Sequence, residues 1–209
     1  MLPASIPVFP LPNVVLFPTV SLPLHIFEPR YREMVADALE GDRIIGMALL
    51  RPGWEGAYEG RPAIYPVGCA GLITHAERLT DGGYNIILRG LEKFRIVREH
   101  GHRSYRMADV DPIMESLTED DRDVVRAERR RLEALLVPRP SGRGVDTAMP
   151  PSMGDEDLVN ALAQYLELET VEKQALLERE GLLARCRSLI ELLEMKVIVS
   201  RHEWGRGPN

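Results

Sequence analysis

Cysteine is scarce in this sequence: its 209 residues include only Cys69 and Cys186. The two lie far apart, and neither belongs to a CxxC pair, so the sequence offers no disulfide framework and no cysteine-based zinc motif. Long apolar runs are also missing, and none approaches the ~20 residues of a membrane-spanning helix. Prolines interrupt the residues before Glu28, the first charged residue, which argues against a signal peptide. These absences predict a cytoplasmic protein with buried, reduced thiols and no membrane contact.

Common catalytic signatures are missing as well. None of the three lysines belongs to a P-loop, and GxGxxG and GxSxG motifs do not occur. His202 and Glu203 begin like the zinc motif HExxH, but Arg206 stands where the second histidine should be. The sequence therefore predicts a protein that is not an enzyme and that holds no metal or cofactor.

What is present is the composition of a folded protein, with 44% hydrophobic and 28% charged residues. A chain of this size can bury one good core or two modest ones. Its net charge is −6. Because nucleic-acid-binding proteins usually carry a basic surface, this charge balance counts weakly against such a partner.

The first half of the chain has the patterns of strands and turns. Prolines among the short apolar segments of residues 1–27 predict edge or bulged strands, since proline cannot donate to a ladder. A helix is predicted at about 29–40. The pair Asp81-Gly82 between two strand-like runs predicts a hairpin. Three glycines in strand context predict bulges or tight corners of a curled sheet: Gly68, Gly71 and Gly90.

One strand-like run, EKFRIV, alternates between apolar and basic residues. Phe94 and Ile96 are expected on one face of this strand, and Lys93 and Arg95 on the other. Such alternation is typical of a strand with one face toward the core and one toward solvent.

The second half has the patterns of helices. Thr118 with Asp121 three residues later predicts a helix start resembling a capping box. Four helices are predicted, at about 118–137, 155–166, 170–180 and 182–202. Residues 138–154, rich in proline, glycine and serine, are expected to form a mobile loop. The predicted domains are a β-rich subdomain over 1–115 and a helical bundle over 116–209.

The densest stretch is LPLHIFEPRYREM, residues 22–34. It has two interpretations. In the catalytic one, His25 is a general base that Glu28 orients. In the structural one, an alternating strand reaches a corner at Phe27 and Glu28, and Pro29 begins a helix, since proline suits the first helical position. The residue chemistry favours the structural interpretation.

This stretch also carries a family resemblance. IPVFPLPNVVLF, LPLHIFEPRYR, VGCAGLITHAERLTDGGYNIILRGLEKFRIV and LVNALAQYLELETVEKQALLE together resemble the Lon protease N-terminal (substrate-binding) domain over nearly the whole chain. The resemblance implies an α+β fold, with an N-terminal PUA-like β pseudo-barrel containing one helix, followed by a C-terminal helical bundle. Its motif residues are then a fold signature without a catalytic role: His25, Phe27, Glu28, Pro29, Arg30 and Tyr31.

The resemblance implies a polypeptide-recognition module. Because the sequence shows neither an ATPase nor a protease module, unfolding and cleavage are not expected of it. Trp54, Tyr58 and Tyr65, in or beside a glycine-rich loop, are the candidate polypeptide-binding residues, since such rings are common in binding hot spots. In the alternative interpretation, these rings cover the end of the barrel. An exposed sheet edge could also accept an extended peptide by strand addition.

Two other functions stay open. PUA-like folds are also used for RNA, and four arginines on one predicted helix could bind it: Arg126, Arg129, Arg130 and Arg131. Their pairing with Glu128 and Glu133 as an ordinary solvated face is the favoured interpretation, so nucleic acid is not the expected partner. Alternatively, the helices and residues 138–154 could dock on a protease or on a second copy of the chain, which would make a homodimer or an adaptor.

Overall fold

The computed structural model describes residues 2–57, 60–136 and 153–204, and within them the fold is α+β, with one six-stranded sheet and five α-helices. Tyr58 and most of the predicted loop at 138–154 lie outside the described residues. The elements, in chain order, are β1 (Ser5–Leu11), β2 (Ser21–Ile26), α1 (Pro29–Glu40), β3 (Ile44–Leu49), a 3-10 turn (Glu55–Ala57), β4 (Val67–Arg78), β5 (Tyr84–His100), β6 (Arg106–Ile113), α2 (Glu119–Leu136), α3 (Asp155–Tyr165), α4 (Thr170–Leu177) and α5 (Gly181–Trp204).

The sheet closes on itself. Its strand order is β2-β5-β4-β3-β1-β6, and β6 pairs with β5 as well as with β1. The 17-residue β5 makes this closure possible, because its first half pairs with β2 and its second half with β6, while β4 runs along its other side. Among the described strands, β2 is the one with a single neighbour.

The prolines of the first strands occupy positions that have one neighbouring strand. The first half of β1, with Pro7, pairs with β6, whereas the second half, with Pro10, pairs with β3. Proline lacks an N–H, so it fits where only one side of a strand is paired. Pro23 lies in β2, which pairs with β5 alone. The edge-strand prediction is therefore right for β2, whereas β1 is an interior strand whose two halves each have one partner.

The first helix begins and ends where the sequence predicts. Glu28 is its N-cap residue and Pro29 its first residue, and the N–H of Gly41 closes the other end by donating to the carbonyls of Asp37 and Ala38. One face is buried: Tyr31, Met34, Val35 and Ala38. The ring of Tyr31 lies 4.4 Å from that of Phe9 in β1, which ties the helix to the sheet.

The predicted hairpin between β4 and β5 is present. Its turn contains Gly82, whose φ of 83° is a left-handed conformation that glycine adopts without steric cost. The side chain of Asp81 accepts a hydrogen bond of 2.9 Å from the N–H of Gly83. The turn is thus determined locally, as a DG pair predicts.

The chain groups into two compact units. The first contains Met1–Met114 together with Asn160–Glu178, and the second contains Glu115–Val159 together with Arg179–Asn209. The last residues of α3 and all of α4 therefore belong with the sheet. A C-terminal helical bundle over 116–209 is not confirmed, and the predicted domains stay a prediction.

In the first unit, residues 160–178 pack against the closed sheet through polar as well as apolar groups. Lys93 of β5, only 2% exposed, donates from Nζ to the carbonyl of Leu177 at the end of α4 (3.1 Å). Gln174 donates to the carbonyl of Val67 (3.0 Å). Burial of Leu176 and Leu177, each 1% exposed, adds apolar contact. These contacts make the helical segment part of the folding unit of the sheet.

In the second unit, α2 packs on α5. The predicted capping box of α2 is formed: the hydroxyl of Thr118 accepts from the N–H of Asp121 (3.1 Å), and the Asp121 carboxylate accepts from the Thr118 N–H (3.3 Å) and hydroxyl (2.7 Å). Arg185 of α5 is fully buried and pairs with Glu115 at 2.5 Å. No helix in the described part of the chain is both long and apolar enough to cross a membrane.

Candidate functional site

A pocket of about 240 Å³ opens in the first unit, beside the start of α1. It is built from separate parts of the chain: the end of β1, the first turn of α1, Leu50, residues 60–62, and residues 103–106. Each part contributes at least one side chain, so the pocket exists only after the sheet has closed and α1 has packed on it.

The wall of this pocket is basic. Of the eleven described residues that line it, four are arginines and none is aspartate or glutamate. Three of the arginines form ion pairs with carboxylates: Arg30 with Glu28 (2.9 Å), Arg103 with Asp37 (2.5 Å), and Arg106 with Glu99 (2.7 Å). Two donate to backbone carbonyls: Arg61 to His100 (2.7 Å) and Arg106 to Pro62 (2.5 Å). The carboxylates thus orient three arginines without lining the pocket.

Tyr105 adds a neutral hydroxyl to the same wall. It is 4% exposed and donates a hydrogen bond of 2.6 Å to Asp37. Burial, and then the hydrogen bond to the Asp37 carboxylate, raise the pKa of the Tyr105 phenol to about 12. The phenol therefore keeps its proton at physiological pH and brings no negative charge to the pocket.

Of the predicted binding aromatics, Trp54 and Tyr65 do not line this pocket, and Tyr58 lies outside the described residues. Trp54 is half-buried and packs against the hydrophobic cluster inside the sheet, which includes Leu50 and Phe94. Tyr65 is also half-buried, with the guanidinium carbon of Arg51 5.4 Å from its ring centroid. The packing of Trp54 is compatible with the alternative in which the ring covers the end of the barrel. Binding by these residues stays a prediction.

The motif residues take separate partners. His25 shares a hydrogen bond of 2.9 Å between its Nδ1 and Oδ1 of Asn85, and its ring stacks on Phe27 at a centroid distance of 6.0 Å. Glu28 instead pairs with Arg30. These contacts favour the structural interpretation of the motif over a His25–Glu28 catalytic pair. Within the described residues, no group of histidine, cysteine or acidic side chains could hold a metal ion.

The arginines considered for RNA lie on α2 in the second unit, and most have acidic partners. The ion pairs are Arg126 with Asp123 (3.3 Å), Arg129 with Glu133 and Asp155 (2.8 Å each), and Arg131 with Glu194 (2.6 Å) and Glu128 (4.0 Å). Arg130 is exposed. The helix face therefore carries little net positive charge, which disfavours phosphate binding there.

The open side of β2 is a weaker candidate for strand addition. Pro23 has no N–H to offer a new strand, and the carbonyl of Ser21 already accepts a hydrogen bond from the Tyr165 hydroxyl (2.8 Å). A shallow apolar groove lies nearby, lined by Leu24, His25 and Ile87 among others. Phe27, 59% exposed, is an exposed aromatic ring that the sequence motif did not single out as a contact residue.

Sequence reasoning missed the arginine-lined pocket. Only Arg30 belongs to a recognisable motif, whereas Arg61, Arg103 and Arg106 come from segments without any distinctive pattern. Local spacing holds no signal for such a cluster, because it depends on which distant segments the closed sheet brings together. The motif signal at Arg30 was the one clue available.

Comparison with known proteins agrees with this fold. Residues 5–195 match the family described as "ATP-dependent protease La (LON) substrate-binding domain". Lon protease 2 of Myxococcus xanthus is 28% identical over 207 residues, which are 93% of this chain and 24% of that protein. The chain thus spans about a quarter of the length of this curated relative.

Two solved structures resemble the chain in fold. A Lon N-terminal domain protein from Xanthomonas campestris aligns with a TM-score of 0.58 and 22% identity, covering 90% of this chain and 97% of that one. The N-terminal domain of the Mycobacterium avium complex Lon protease aligns with a TM-score of 0.65 and 19% identity, covering 91% and 98%. With the family match across most of the sequence, this chain belongs to the LON substrate-binding domain family.

Proposed function

We propose that this protein recognises polypeptides in the cytoplasm and has no catalytic activity of its own. The observation that carries the proposal is the match of residues 5–195 to a substrate-binding domain family. Unfolding and cleavage of a client would then be the work of other modules or proteins. A protease partner and a homodimer are the alternatives for how the domain is used.

The geometry of the first unit supports this proposal. Its pocket combines arginine donors with apolar surface from Pro10, Leu50 and Pro62, the mixture expected where a peptide side chain or terminus is held. We propose Trp54, Tyr58 and Tyr65, in or beside the glycine-rich segment, as further contacts along a bound chain. We also propose that the closed sheet is the PUA-like pseudo-barrel implied by the family resemblance.

Direct binding tests this function. A labelled, reduced casein-like chain is titrated with the protein in the absence of ATP, and fluorescence anisotropy reports the complex. A structured RNA is titrated in parallel at two salt concentrations. We expect saturable binding of the polypeptide. Binding of the RNA alone, weakening steeply with salt, would instead support the nucleic-acid alternative.

The contribution of the glycine-rich segment is tested with Trp54→Ala, which is expected to weaken polypeptide binding. Tyr165→Ala is the control, because Tyr165 is a 66% exposed aromatic residue of the same unit outside that segment. Since Trp54 also packs on the core, the urea midpoint of each variant is measured first. A folded Trp54→Ala protein with unchanged affinity would remove Trp54 from the binding surface.

A further inference from the structure

The charge of the pocket wall points to the chemistry of its ligand. Three of its arginines form ion pairs with carboxylates that do not line the pocket. The fourth, Arg61, donates one N–H to a backbone carbonyl. Within the described residues, no carboxylate oxygen lies within 4.0 Å of the Arg61 guanidinium. Arg61 is also exposed. Among the described residues, then, Arg61 has N–H donors left for an incoming group, and no carboxylate of that part of the chain pairs with its charge.

An exposed guanidinium with remaining N–H donors favours planar anions such as carboxylates. The guanidinium presents its N–H donors as a fork that matches two carboxylate oxygens at once. The Ser104 hydroxyl, which lines the same pocket, is uncharged and donates a hydrogen bond of 2.7 Å to Glu33. Tyr105 is neutral for the reason given above. Among the described lining residues, a carboxylate entering the pocket meets guanidinium groups and no acidic side chain, and Arg61 is the arginine of the four without a carboxylate partner there.

The size of the pocket limits what enters it. A volume of about 240 Å³ is below the roughly 300–1,000 Å³ of pockets for drug-sized ligands, so it suits a small group such as a peptide side chain or chain end. Apolar surface from Pro10, Leu50 and Pro62 suits the carbon atoms next to a carboxylate. The net charge of −6 works against a long polyanion such as RNA, whereas a single carboxylate on a peptide senses mainly the local arginines.

We propose that this pocket binds a carboxylate of the polypeptide client, with Arg61 as the main ligand-contacting cation. The proposal rests on the polypeptide-recognition function above and adds a chemical preference to it. The carboxylate comes either from the C-terminus of the client or from an aspartate or glutamate side chain. Both sources present the same group, and peptides that differ in a single group distinguish them.

The experiment uses labelled, unstructured peptides of one uncharged sequence in three forms. The first ends in a free carboxylate, the second in an amide, and the third in an amide but with one internal glutamate. Anisotropy titrations measure the affinity of the full chain for each. We expect the amide form to bind about tenfold more weakly than at least one carboxylate form, since one charge-assisted hydrogen bond is lost.

Arg61→Gln is expected to remove this preference, and Arg61→Lys to restore part of it, because lysine keeps the charge but not the fork. The matched control is Arg95→Gln, an exposed arginine of β5 that does not line the pocket. Urea midpoints show that each variant is folded. Preference for the first peptide identifies a chain terminus as the ligand, and preference for the third identifies a side chain.

Other results overturn the proposal in distinguishable ways. Equal affinity for all three peptides, unaffected by Arg61→Gln, would refute carboxylate recognition while leaving polypeptide recognition intact. No binding of any peptide or of the casein-like chain would refute both. Salt-sensitive RNA binding that Arg61→Gln abolishes, without an effect on peptides, would assign the pocket to phosphate instead.

Discussion

At the scale of single residues, Lys93 departs most from what its sequence position indicates. The alternation in EKFRIV places it with Arg95 on a polar face, and Arg95 is exposed as expected. Lys93 is instead 2% exposed, with its ammonium on the carbonyl of Leu177. The last carbonyls of a helix have no intrahelical partner and carry partial negative charge, so this cation stabilises the end of α4.

We therefore expect Lys93→Met to destabilise the protein by about 1–3 kcal/mol, because the Leu177 carbonyl loses a charged donor in a buried place. Methionine keeps most of the volume of the stem. Urea unfolding followed by circular dichroism measures the change. Arg95→Met, two residues along the same strand, is the exposed control and should shift stability by less than about 0.5 kcal/mol. Equal midpoints for both variants would show that the buried contact contributes nothing.

At the scale of secondary-structure elements, glycines decide how closely the segments of the closed sheet approach one another. The segment before β2 crosses β5 at Gly90, where the Gly90 N–H donates to the carbonyl of Val20 (2.8 Å) and the Thr19 N–H to the carbonyl of Gly90 (2.9 Å). A Cβ on Gly90 would lie 2.0 Å from the carbonyl oxygen of Phe17. This approach needs glycine because backbone, not a flexible side chain, occupies the space.

Gly90→Ala is accordingly expected to lower the free energy of unfolding by about 1–3 kcal/mol or more, through overpacking and displacement of the residue 17–20 segment. The matched control is Gly56→Ala, since a Cβ there has no neighbour within 4 Å and its φ is not left-handed. Thermal unfolding by calorimetry compares the two with the parent. A Gly90→Ala protein as stable as Gly56→Ala would mean that the crossing segment relaxes without cost.

At the scale of the whole molecule, the chain passes between its two units three times. The first unit contains residues 1–114 and 160–178, so the helical segment 160–178 is distant in sequence from the sheet on which it packs. Leu176 and Leu177 are both buried in it, and full burial of a leucine contributes about 1.5–3 kcal/mol. Without residues 160–178, the side chains of the sheet that contact this segment would be exposed to solvent.

A chain of residues 1–115 is therefore expected to be markedly less stable than a chain of residues 1–178, which contains the complete first unit. Trp54 fluorescence reports the unfolding of both by urea, because the second tryptophan, Trp204, is absent from each. We expect a cooperative transition for 1–178 and a weak or early one for 1–115. If both unfold cooperatively at the same urea concentration, the predicted domain 1–115 folds on its own.

Much of the local structure was determined by the sequence alone. Pro29 marks the start of α1, Thr118 and Asp121 cap α2, and Asp81 with Gly82 makes the turn between β4 and β5, all as predicted. These features depend on residues a few positions apart, whose backbone preferences and hydrogen bonds act without help from distant segments. The family resemblance was likewise readable, since it rests on consecutive motif residues.

Other properties were decided only by the tertiary structure. The sequence pattern could not show that residues 160–178 join the sheet, that Lys93 is buried beneath the end of α4, or that Arg61 and Arg106 meet Arg30 around one pocket. Each depends on contacts between segments separated by many residues, and the side chains concerned have no local pattern of their own. The burial and electrostatic environment of these side chains depend on which distant residues surround them in the folded protein, and a local sequence pattern does not predict those residues.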